Sequence, residues 1–441
     1  MLRRGLCLLL TAALCLTTGC VADRAAMQAE AEQALLAQQE EALRQEEAER
    51  RARQEERRRQ AGEVLHTEME EICRKYQVVG MSLAVFDEEG VFYRQSYGYA
   101  DVEAGIPAGE DTIYRAASVS KCVTALLALD LASEGKIDPE APLPRLGRCE
   151  VVSRYPDAPI TLRHLLTHTA GLADSETYRE AVAEKVLPPL GEVLESCYTG
   201  AKPGTQYCYT NFGLGLVSGV MEAVTGERFL DYTREQVFEP MGMDAAYSYS
   251  QLTHPERVAN IYQNGECTVR MVEWTGMSAK YTVLPLGELY ALGHGDLFIT
   301  AEDLARLGAI MAGCPGEGEA VALSEEYRLA MQTPQYEREL AEESYPNELC
   351  RGLGTQITDH LLPDRRMVGH QGNAYGSICG LFYDPETRTG FALLTNGALG
   401  QRNAAGVFRL NEDTAQAVYA AFFGLEREEP DCDPPALEAA C

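Results

Sequence analysis

The sequence is poor in basic residues and in long apolar runs. It has 38 lysines and arginines against 67 aspartates and glutamates, which gives a net charge of −29. A chain this acidic repels the phosphates of nucleic acids, so we expect no nucleic-acid partner. After the first 16 residues no apolar run approaches the roughly 20 residues that a membrane-spanning helix needs. We therefore expect no membrane span in the rest of the chain.

Motifs of several common enzyme classes are also missing. No Gly-x-Ser-x-Gly occurs, so the nucleophile turn of the α/β hydrolases is not supported. His164 and His168 have i,i+4 spacing, but leucine and not glutamate follows His164, which argues against a zinc protease. No glycine-rich nucleotide loop follows a predicted strand. We expect neither a metal nor a cofactor, and we interpret the two histidines as structural.

The first 20 residues have the pattern of an export signal. Arg3 and Arg4 precede an apolar run that is too short to span a bilayer. The end of the segment, up to Cys20, resembles a bacterial lipoprotein cleavage site, although Thr17 stands where leucine is usual. We predict a signal peptide over residues 1–20 and lipid attachment at Cys20. The protein would then be extracytoplasmic and membrane-anchored, with simple secretion as the alternative.

Residues 21–61 contain no glycine, proline or aromatic residue. They consist mainly of Ala, Glu, Gln and Arg, which are strong helix formers, and five Glu–Arg pairs have the i,i+4 spacing that stabilises a solvated helix. We predict a charged helical spacer, which at about 1.5 Å per residue could hold a domain roughly 60 Å from an anchor. A coiled coil and a disordered linker are the alternatives.

Residues 62–425 form the predicted globular body. Apolar runs predict strands at both ends of this segment, and helical apolar spacing predicts helices between them. The predicted strands are 78–86, 91–97, 378–383 and 391–395, and the predicted helices are 160–172, 210–226, 301–311 and one that Asn411 caps and that ends at 423. This order implies an α/β (α+β) fold, in which an antiparallel sheet is flanked by helices and carries an inserted all-helical lobe. Residues 426–441 are predicted to be a flexible tail.

One short stretch has the composition of a nucleophilic site. Ser118 and Lys121 stand three residues apart where a loop enters an apolar helix, so their side chains share a helix face. A serine needs a base to act as a nucleophile, and a lysine with a lowered pKa can be that base. The pattern alone is weak, because Ser133 and Lys136 repeat it at the end of the same predicted helix.

Two later motifs favour the first copy over the second. Tyr209-x-Asn211 lies between a Pro-Gly turn and a helix start, and His370-x-Gly372 precedes the C-terminal strands. In this order the three motifs resemble those of the class C β-lactamase and DD-peptidase family of penicillin-recognising serine hydrolases. Two further stretches, 160–172 and 298–304, resemble structural landmarks of that family. The resemblance covers residues 62–424 and implies a β-lactamase/transpeptidase-like fold.

The resemblance also implies roles for the first two motifs. Ser118 would attack a carbonyl carbon and form an acyl-enzyme. Lys121 and Tyr209 would share the proton transfer, and which of them is the base stays open. Asn211 would orient the lysine and the substrate amide.

The third motif would complete the site from the sheet. The backbone N–H groups of Ser118 and of Asn373, the residue after Gly372, would form the oxyanion hole, as the resemblance implies. His370 would line the same cleft from the edge of the sheet. We expect this cleft to lie between the sheet and the helical lobe.

The residue types of the third motif bear on the substrate. β-Lactamases of this family usually have Lys-Thr-Gly there, whereas DD-peptidases, D-aminopeptidases and many esterase-like members have His-x-Gly. A histidine titrates near pH 6.5 and is only partly charged at neutral pH, so it holds a carboxylate less firmly than lysine does. We expect an exported DD-carboxypeptidase that acts on a D-alanyl peptide of the cell wall. An esterase or a weak β-lactamase is the alternative on the same site, and a non-catalytic cell-wall or β-lactam sensor is the alternative of another class.

Overall fold

A computed structural model gives the fold, and contacts between residues divide the chain into two units, residues 1–63 and 64–441. The predicted tail 426–441 lies outside the described residues. The structure describes residues 2–184, 186–274, 284–315, 320–336 and 350–425.

The first unit is helical. Helix α1 runs Leu2–Lys75, so it includes the whole predicted spacer and continues beyond it. Its residues 36–50 are exposed, as the charged composition requires. Arg59 pairs with Glu56 at 2.7 Å and with Glu63 at 2.5 Å. Solvent screens such exposed pairs, so each adds little to the stability of the helix.

The second unit has strands at both ends of its sequence and helices between them, so the predicted fold class is confirmed. The strands are β1 Gly80–Asp87, β2 Gly90–Asp101, β3 Ile106–Pro107, β4 Tyr114–Arg115, β5 Ile261–Gln263, β6 Glu266–Val269, β7 Phe298–Ile299, β8 Cys350–Arg351, β9 Gln356–Leu362, β10 Arg365–Ala374, β11 Ser377–Asp384 and β12 Thr389–Thr395. The helices are α2 Ser120–Ser133, α3 Leu162–Leu166, α4 Glu176–Glu184, α5 Leu190–Cys197, α6 Asn211–Thr225, α7 Phe229–Tyr232, α8 Ala301–Ala312, α9 Glu325–Gln332 and α10 Arg409–Phe422. Among the helices described, none is long and apolar enough to cross a membrane.

Eight strands form one antiparallel sheet. Their order is β3-β2-β1-β12-β11-β10-β9-β8. The third and fourth strands in this order are β1 and β12, and Met81 of β1 lies opposite Thr395 of β12. The two ends of the domain are thus joined within the sheet, and the helical segments are inserted between them. Strands β4 and β7, and strands β5 and β6, form two small separate sheets.

The two faces of the large sheet bury different helices. Side chains alternate along a strand, so Met81, Leu83 and Val85 of β1 face one side while Ala84 and Phe86 face the other. The first side packs against α10 and the last turns of α1, and the second side packs against α2 and α8. This sandwich keeps α2, which begins at the predicted site, in the interior of the domain.

The predicted helix over 160–172 is wrong in length. The structure has only the short helix α3 there, and its end is followed by His168 at a φ of +59°. A left-handed residue cannot continue a right-handed helix, and the segment turns instead. The helical apolar spacing of this stretch comes from burial of a loop and not from a continued helix.

The predicted cap of the last helix is also wrong. Helix α10 begins at Arg409, so Asn411 is its third residue and Phe408 precedes the helix. Asn411 is buried, and its Nδ2 donates to the carbonyl oxygen of Cys379 at 3.2 Å. The amide side chain therefore ties the helix to the sheet and does not cap it.

Candidate active site

Ser118 lies in a 3₁₀ turn, Ala117–Val119, that leads directly into α2. The turn is held from within: Ser120 Oγ donates to the carbonyl of Ala117 at 2.6 Å and accepts from the N–H of Leu297 at 3.1 Å. Ala117 has a φ of +48°, a conformation that costs free energy for a residue with a Cβ. The packed surroundings fix the serine at the start of the helix despite this cost.

Lys121 is the buried partner of Ser118. Its side chain is one turn further along, in a position that is 1 % exposed. Its Nζ donates to Ser118 Oγ at 3.0 Å, to Asn211 Oδ1 at 2.8 Å and to the carbonyl of His294 at 2.6 Å. These three polar partners satisfy the buried nitrogen.

The second motif completes this cluster from the start of α6. The hydroxyl of Tyr209 donates to Ser118 Oγ at 3.1 Å, so the serine oxygen faces both the amine and the phenol. Thr210 is the N-cap of α6, and its hydroxyl accepts from Gly213 N at 3.2 Å. The cap places Asn211 in the first turn, where its oxygen meets Lys121. The structure thus brings these predicted residues together.

Asp174 organises the second motif, and sequence reasoning missed it. One of its carboxylate oxygens accepts from Thr210 Oγ1 at 2.7 Å and from Phe212 N at 2.9 Å. The other accepts from Asn211 Nδ2 at 2.9 Å. This fixes the amide so that its oxygen points to Lys121. Asp174 is one of 67 acidic residues, and only its position just after the landmark at 160–172 could have indicated it.

The third motif lies on β10, and His370 is buried there, with 1 % exposure. Its Nδ1 is 2.7 Å from the carbonyl of Gln371, and its Nε2 is 3.4 Å from an Arg351 nitrogen. Burial and the charges of Arg351 and Lys121 hold the pKa of His370 well below 6.5. The lowered pKa favours the neutral imidazole, whereas we expected a histidine that is partly charged at neutral pH.

Gly372 lets the strand approach the nucleophile. A Cβ at this position would lie 2.8 Å from the carbonyl oxygen of Ala116 and 3.0 Å from the backbone N of Ser118. Both distances are too short for a methyl group, so only glycine allows this packing. Asn373 follows on the same strand. The motif thus brings β10 against the turn that carries Ser118, as an oxyanion hole formed from these two segments requires.

Two further residues surround Tyr209. The ring of His168 lies 4.5 Å from the tyrosine ring, and its Nδ1 accepts from Thr210 N at 3.2 Å. Burial, with the charges of Arg351 and Lys121, holds the pKa of His168 well below 6.5. The guanidinium of Arg351 lies 5.6 Å from the centre of the Tyr209 ring. Sequence reasoning treated His168 as structural and did not identify Arg351, which comes from a distant strand without a local motif.

His164 and His168 do not share a helix face, as two metal ligands with i,i+4 spacing would. His164 Nδ1 lies 3.2 Å from Thr161 N, as part of the capping box of α3, while His168 lies beyond the end of that helix. In the part of the chain that the structure describes, no group of three or more His, Cys, Asp or Glu residues could hold a metal ion.

Comparison with known proteins agrees with this arrangement. The profile of the beta-lactamase family matches residues 36–416, which is most of the chain. The chain belongs to the beta-lactamase family. The resemblance inferred from the three motifs is thereby confirmed. Membership makes the protein a serine hydrolase, for which the Ser118 cluster has the required chemistry.

Relatives in this beta-lactamase family have several activities. Penicillin-binding protein 4* of Bacillus subtilis is 28% identical over 44% of this chain and 43% of its own length. Esterase EstB of Burkholderia gladioli is 28% identical over 57% of this chain and 70% of its own length. The octameric penicillin-binding protein homologue of Pyrococcus abyssi has a TM-score of 0.62 at 23% identity, and the match covers 82% of this chain and 77% of that one. The chain therefore matches less than half of the first curated relative, and the structural match shows the fold.

Proposed function

We propose that the protein is a DD-carboxypeptidase that hydrolyses D-alanyl peptides through an acyl-enzyme on Ser118. The observation that carries the proposal is the buried, neutral His370 in the third motif, where β-lactamases of the family usually have lysine. A guanidinium nitrogen of Arg351 lies 3.4 Å from Nε2 of this histidine. The positive charge of Arg351 would attract the free carboxylate of a D-alanyl peptide at longer range. Similarity to a penicillin-binding protein supports the same substrate class.

The proposed mechanism assigns a task to each group of the cluster. Ser118 Oγ attacks the peptide carbonyl while its proton passes to the group that acts as the base, which is Lys121 in its neutral amine form or Tyr209 in its phenolate form. Both groups are within hydrogen-bond distance of Ser118 Oγ. The N–H groups of Ser118 and Asn373 stabilise the oxyanion. The same proton then goes to the amine of the leaving D-alanine. Water hydrolyses the acyl-enzyme by the reverse sequence of proton transfers.

An esterase is the second candidate, and it is favoured by the match that covers 70% of esterase EstB. The catalytic steps would be the same, with an alcohol as leaving group. A weak β-lactamase would use them on a strained cyclic amide, and a sensor would stop at a long-lived acyl-enzyme.

One experiment separates these functions. The purified protein is incubated with a D-Ala-D-Ala peptide, a short-chain ester and a fluorescent penicillin, and products and protein mass are followed with time. Released D-alanine at a rate above that of ester cleavage is the expected result. Ester cleavage without D-alanine release would replace the proposal with an esterase. A stable penicillin adduct without turnover of any substrate would favour the sensor.

We also propose that the protein is exported and anchored through a lipid on Cys20, with the helical spacer between the anchor and the hydrolase domain. The basic start, the short apolar run and the small residues before Cys20 support this. Cells that express the full chain are labelled with radioactive palmitate. Label should appear in the wild type and in Cys15→Ser and should be lost in Cys20→Ser. Label that persists in Cys20→Ser would contradict the proposal.

A further inference from the structure

Tyr375 is a tyrosine in an unfavourable backbone conformation, close to the candidate oxyanion hole. Tyr375 and Gly376 form the two-residue turn between β10 and β11, with φ values of +56° and +107°. Asn, Asp or Gly is usual at the first position of such a turn, and a bulky side chain there costs free energy. Strained residues of this kind cluster at sites that hold ligands.

Contacts of the backbone hold this turn against the neighbouring β5–β6 hairpin. The carbonyl oxygen of Tyr375 accepts from Thr268 Oγ1 at 3.2 Å. A Cβ on Gly376 would lie 2.1 Å from the carbonyl oxygen of Tyr262, so glycine alone allows the turn to touch the hairpin. Neither contact involves the ring of Tyr375. The turn therefore does not need a tyrosine for these contacts.

The ring of Tyr375 lies on the face of the sheet that carries Ser118. The guanidinium carbon of Arg115 is 5.5 Å from the centre of the ring. The carbonyl oxygen of the same arginine is 3.8 Å from Sγ of Cys379. Cys379 pairs with Gly372, and directly opposite residues of two neighbouring strands point to the same face. Gly372 is the residue that lies against the backbone N of Ser118.

Arg115 has a defined position behind this ring. Its Nε and Nη2 donate to one carboxylate oxygen of Asp296 at 3.2 and 2.9 Å, and both side chains are largely buried. A Cβ on Gly295 would lie 3.4 Å from Arg115 Nη2 and 3.9 Å from the carbonyl oxygen of Ala117. The guanidinium is therefore close to the turn that carries the nucleophile. A guanidinium within about 6 Å of a ring centre attracts the ring, so Tyr375 is held at this place.

The position of Tyr375 along β10 places it beyond Ser118, on the side away from Tyr209. His370 is near Tyr209, with 6.5 Å between the ring centres. Gly372 follows at the backbone N of Ser118, and Tyr375 comes three residues later. Its ring is accessible there, because the residue is 49% exposed.

This order assigns a side of the substrate to Tyr375. The leaving group takes its proton from Lys121 or Tyr209, so it departs on the side of Tyr209. The acyl part of the substrate is on the other side of the reacting carbonyl. It therefore extends along β10 toward the ring of Tyr375.

We propose that Tyr375 is a specificity-determining residue whose ring contacts an apolar part of the substrate's acyl group. The proposal rests on the acyl-enzyme at Ser118 that the proposed function assumes. The face of an aromatic ring suits an alkyl stem or another flat ring, and burial of such a group stabilises the complex in proportion to its apolar area. An acyl group as small as acetyl would not use this contact.

The test uses thioesters that share one leaving group. N-Acetyl-, N-hexanoyl- and N-phenylacetyl-D-alanyl thioesters of mercaptoacetate differ only in the apolar part of the acyl group. Acylation is measured as release of the thiol in a single turnover with protein in excess, so the rate of deacylation does not hide the result. In the wild type we expect the phenylacetyl substrate to react about tenfold faster than the acetyl substrate, with the hexanoyl substrate between them.

Two substitutions separate the ring of Tyr375 from its backbone. Tyr375→Asn removes the ring and suits the left-handed turn, so it should unfold at a higher urea concentration than the wild type. Its preference for phenylacetyl should fall to within about twofold. Tyr375→Phe keeps the ring and should keep the preference.

Tyr99→Asn is the matched control for the loss of a ring. Tyr99 is also 49% exposed, and its strand β2 is four strands away from β10 in the sheet. This variant should keep the tenfold preference. A loss of the preference in Tyr99→Asn would overturn the inference, as would equal rates in the wild-type series or an unchanged preference in Tyr375→Asn.

A second series tests the side of the substrate. It keeps the phenylacetyl-D-alanyl group and exchanges mercaptoacetate for mercaptopropionate. Tyr375→Asn should slow both members by the same factor, and an effect on only one of them would contradict an acyl-side contact. Failure of the proposed function gives a different result, because a protein that releases no D-alanine from a D-Ala-D-Ala peptide can still show the acyl preference with thioesters.

Discussion

The two copies of Ser-x-x-Lys at the two ends of α2 have the same residues and opposite surroundings. Lys121 is buried and donates to three acceptors, whereas the side chain of Lys136 is 51% exposed and pairs with Glu134 at 2.6 Å. Ser118 Oγ faces an amine and a phenol. Ser133 Oγ donates to a carbonyl of its own helix at 2.8 Å and accepts from a backbone N–H at 2.9 Å.

The difference shows where the reactivity of such a motif comes from. In the first copy the short turn and the start of α2 bring the hydroxyl and the amine to one face. In the second copy α2 ends at Ser133, and the chain turns at Gly135, which has a φ of +75°, before it reaches Lys136. Only the first copy meets a second motif that supplies a phenol, an amide and a buried site. In the second copy the serine hydroxyl already donates to one backbone group and accepts from another, so its role is structural.

The largest expected effect is on the two serines. Ser118→Ala should lower turnover at least about a thousandfold and abolish covalent labelling, because it removes the attacking oxygen. Ser133→Ala should keep both and lower only the free energy of unfolding, by about 1 kcal/mol, since a backbone N–H loses its acceptor. Intact mass after incubation with a fluorescent penicillin checks the labelling. Label on Ser118→Ala would contradict the assignment of the nucleophile.

The two lysines should differ almost as strongly. Lys121→Met keeps the length of the side chain but removes the amine beside Ser118, and we expect kcat to fall by about 10²–10⁴. Lys136→Met should leave kcat within about twofold, because its partner is an exposed surface carboxylate. Steady-state kinetics on an ester substrate measures both. Equal losses in the two variants would show that the contrast between the copies is wrong.

A substitution of Asp174 should have a smaller effect on activity than substitutions of Ser118 or Lys121. In Asp174→Asn the carboxylate that holds Thr210, Asn211 and Phe212 is replaced by an amide that cannot accept from all of them. We expect kcat/KM to fall about 10–100-fold and the free energy of unfolding to fall by about 1–3 kcal/mol.

Asp157→Asn is the matched control for this change. Its carboxylate pairs with Lys202 at the surface, where solvent screens the pair, so the variant should keep its stability and its activity. Denaturant unfolding and initial rates are measured for both variants. A wild-type rate in Asp174→Asn would show that the second motif holds its geometry without the carboxylate.

The burial of His370, near the first copy, should also change how the free energy of unfolding depends on pH. Burial lowers the pKa of His370 in the folded state, so the unfolded chain binds more protons below pH 6.5. The contribution of the neutral His370 to the free energy of unfolding is therefore complete above pH 6.5. It is lost as the pH falls below this value, by up to about 1.4 kcal/mol per pH unit. His370→Gln should reduce this slope, whereas His360→Gln, which changes an exposed residue, should not. Urea unfolding between pH 5 and 8 measures it, and equal slopes would contradict the neutral, buried state.

The sequence predicted those parts of the site that have fixed local spacing. Ser118 with Lys121, Tyr209 with Asn211, and His370 with Gly372 each lie within four residues, and the structure brings all six together. Runs of apolar residues likewise predicted the strands at both ends of the body. Local patterns of this kind can be predicted because helix and strand periodicity fixes the relative positions of residues that are close in sequence.

The missed features depend on contacts between distant segments. Asp174 and Arg351 belong to segments without a motif, and their roles arise only when the chain packs around Tyr209. The pKa of His370 could not be predicted because it depends on burial and on those distant charges. The helix over 160–172 was overestimated for a related reason, since a buried loop can have the apolar spacing of a helix.

The pairing of β1 with β12 has a consequence for the order of events after synthesis. Met81 lies opposite Thr395, so more than 300 residues must be made after β1 before this pair of strands can form. Contacts so distant in sequence form late and slowly. On a ribosome, β1 can pair with β2 early, but its other neighbour in the sheet becomes available only when nearly the whole polypeptide has emerged. A protein that has to be threaded through a translocation channel before it folds would benefit from that delay.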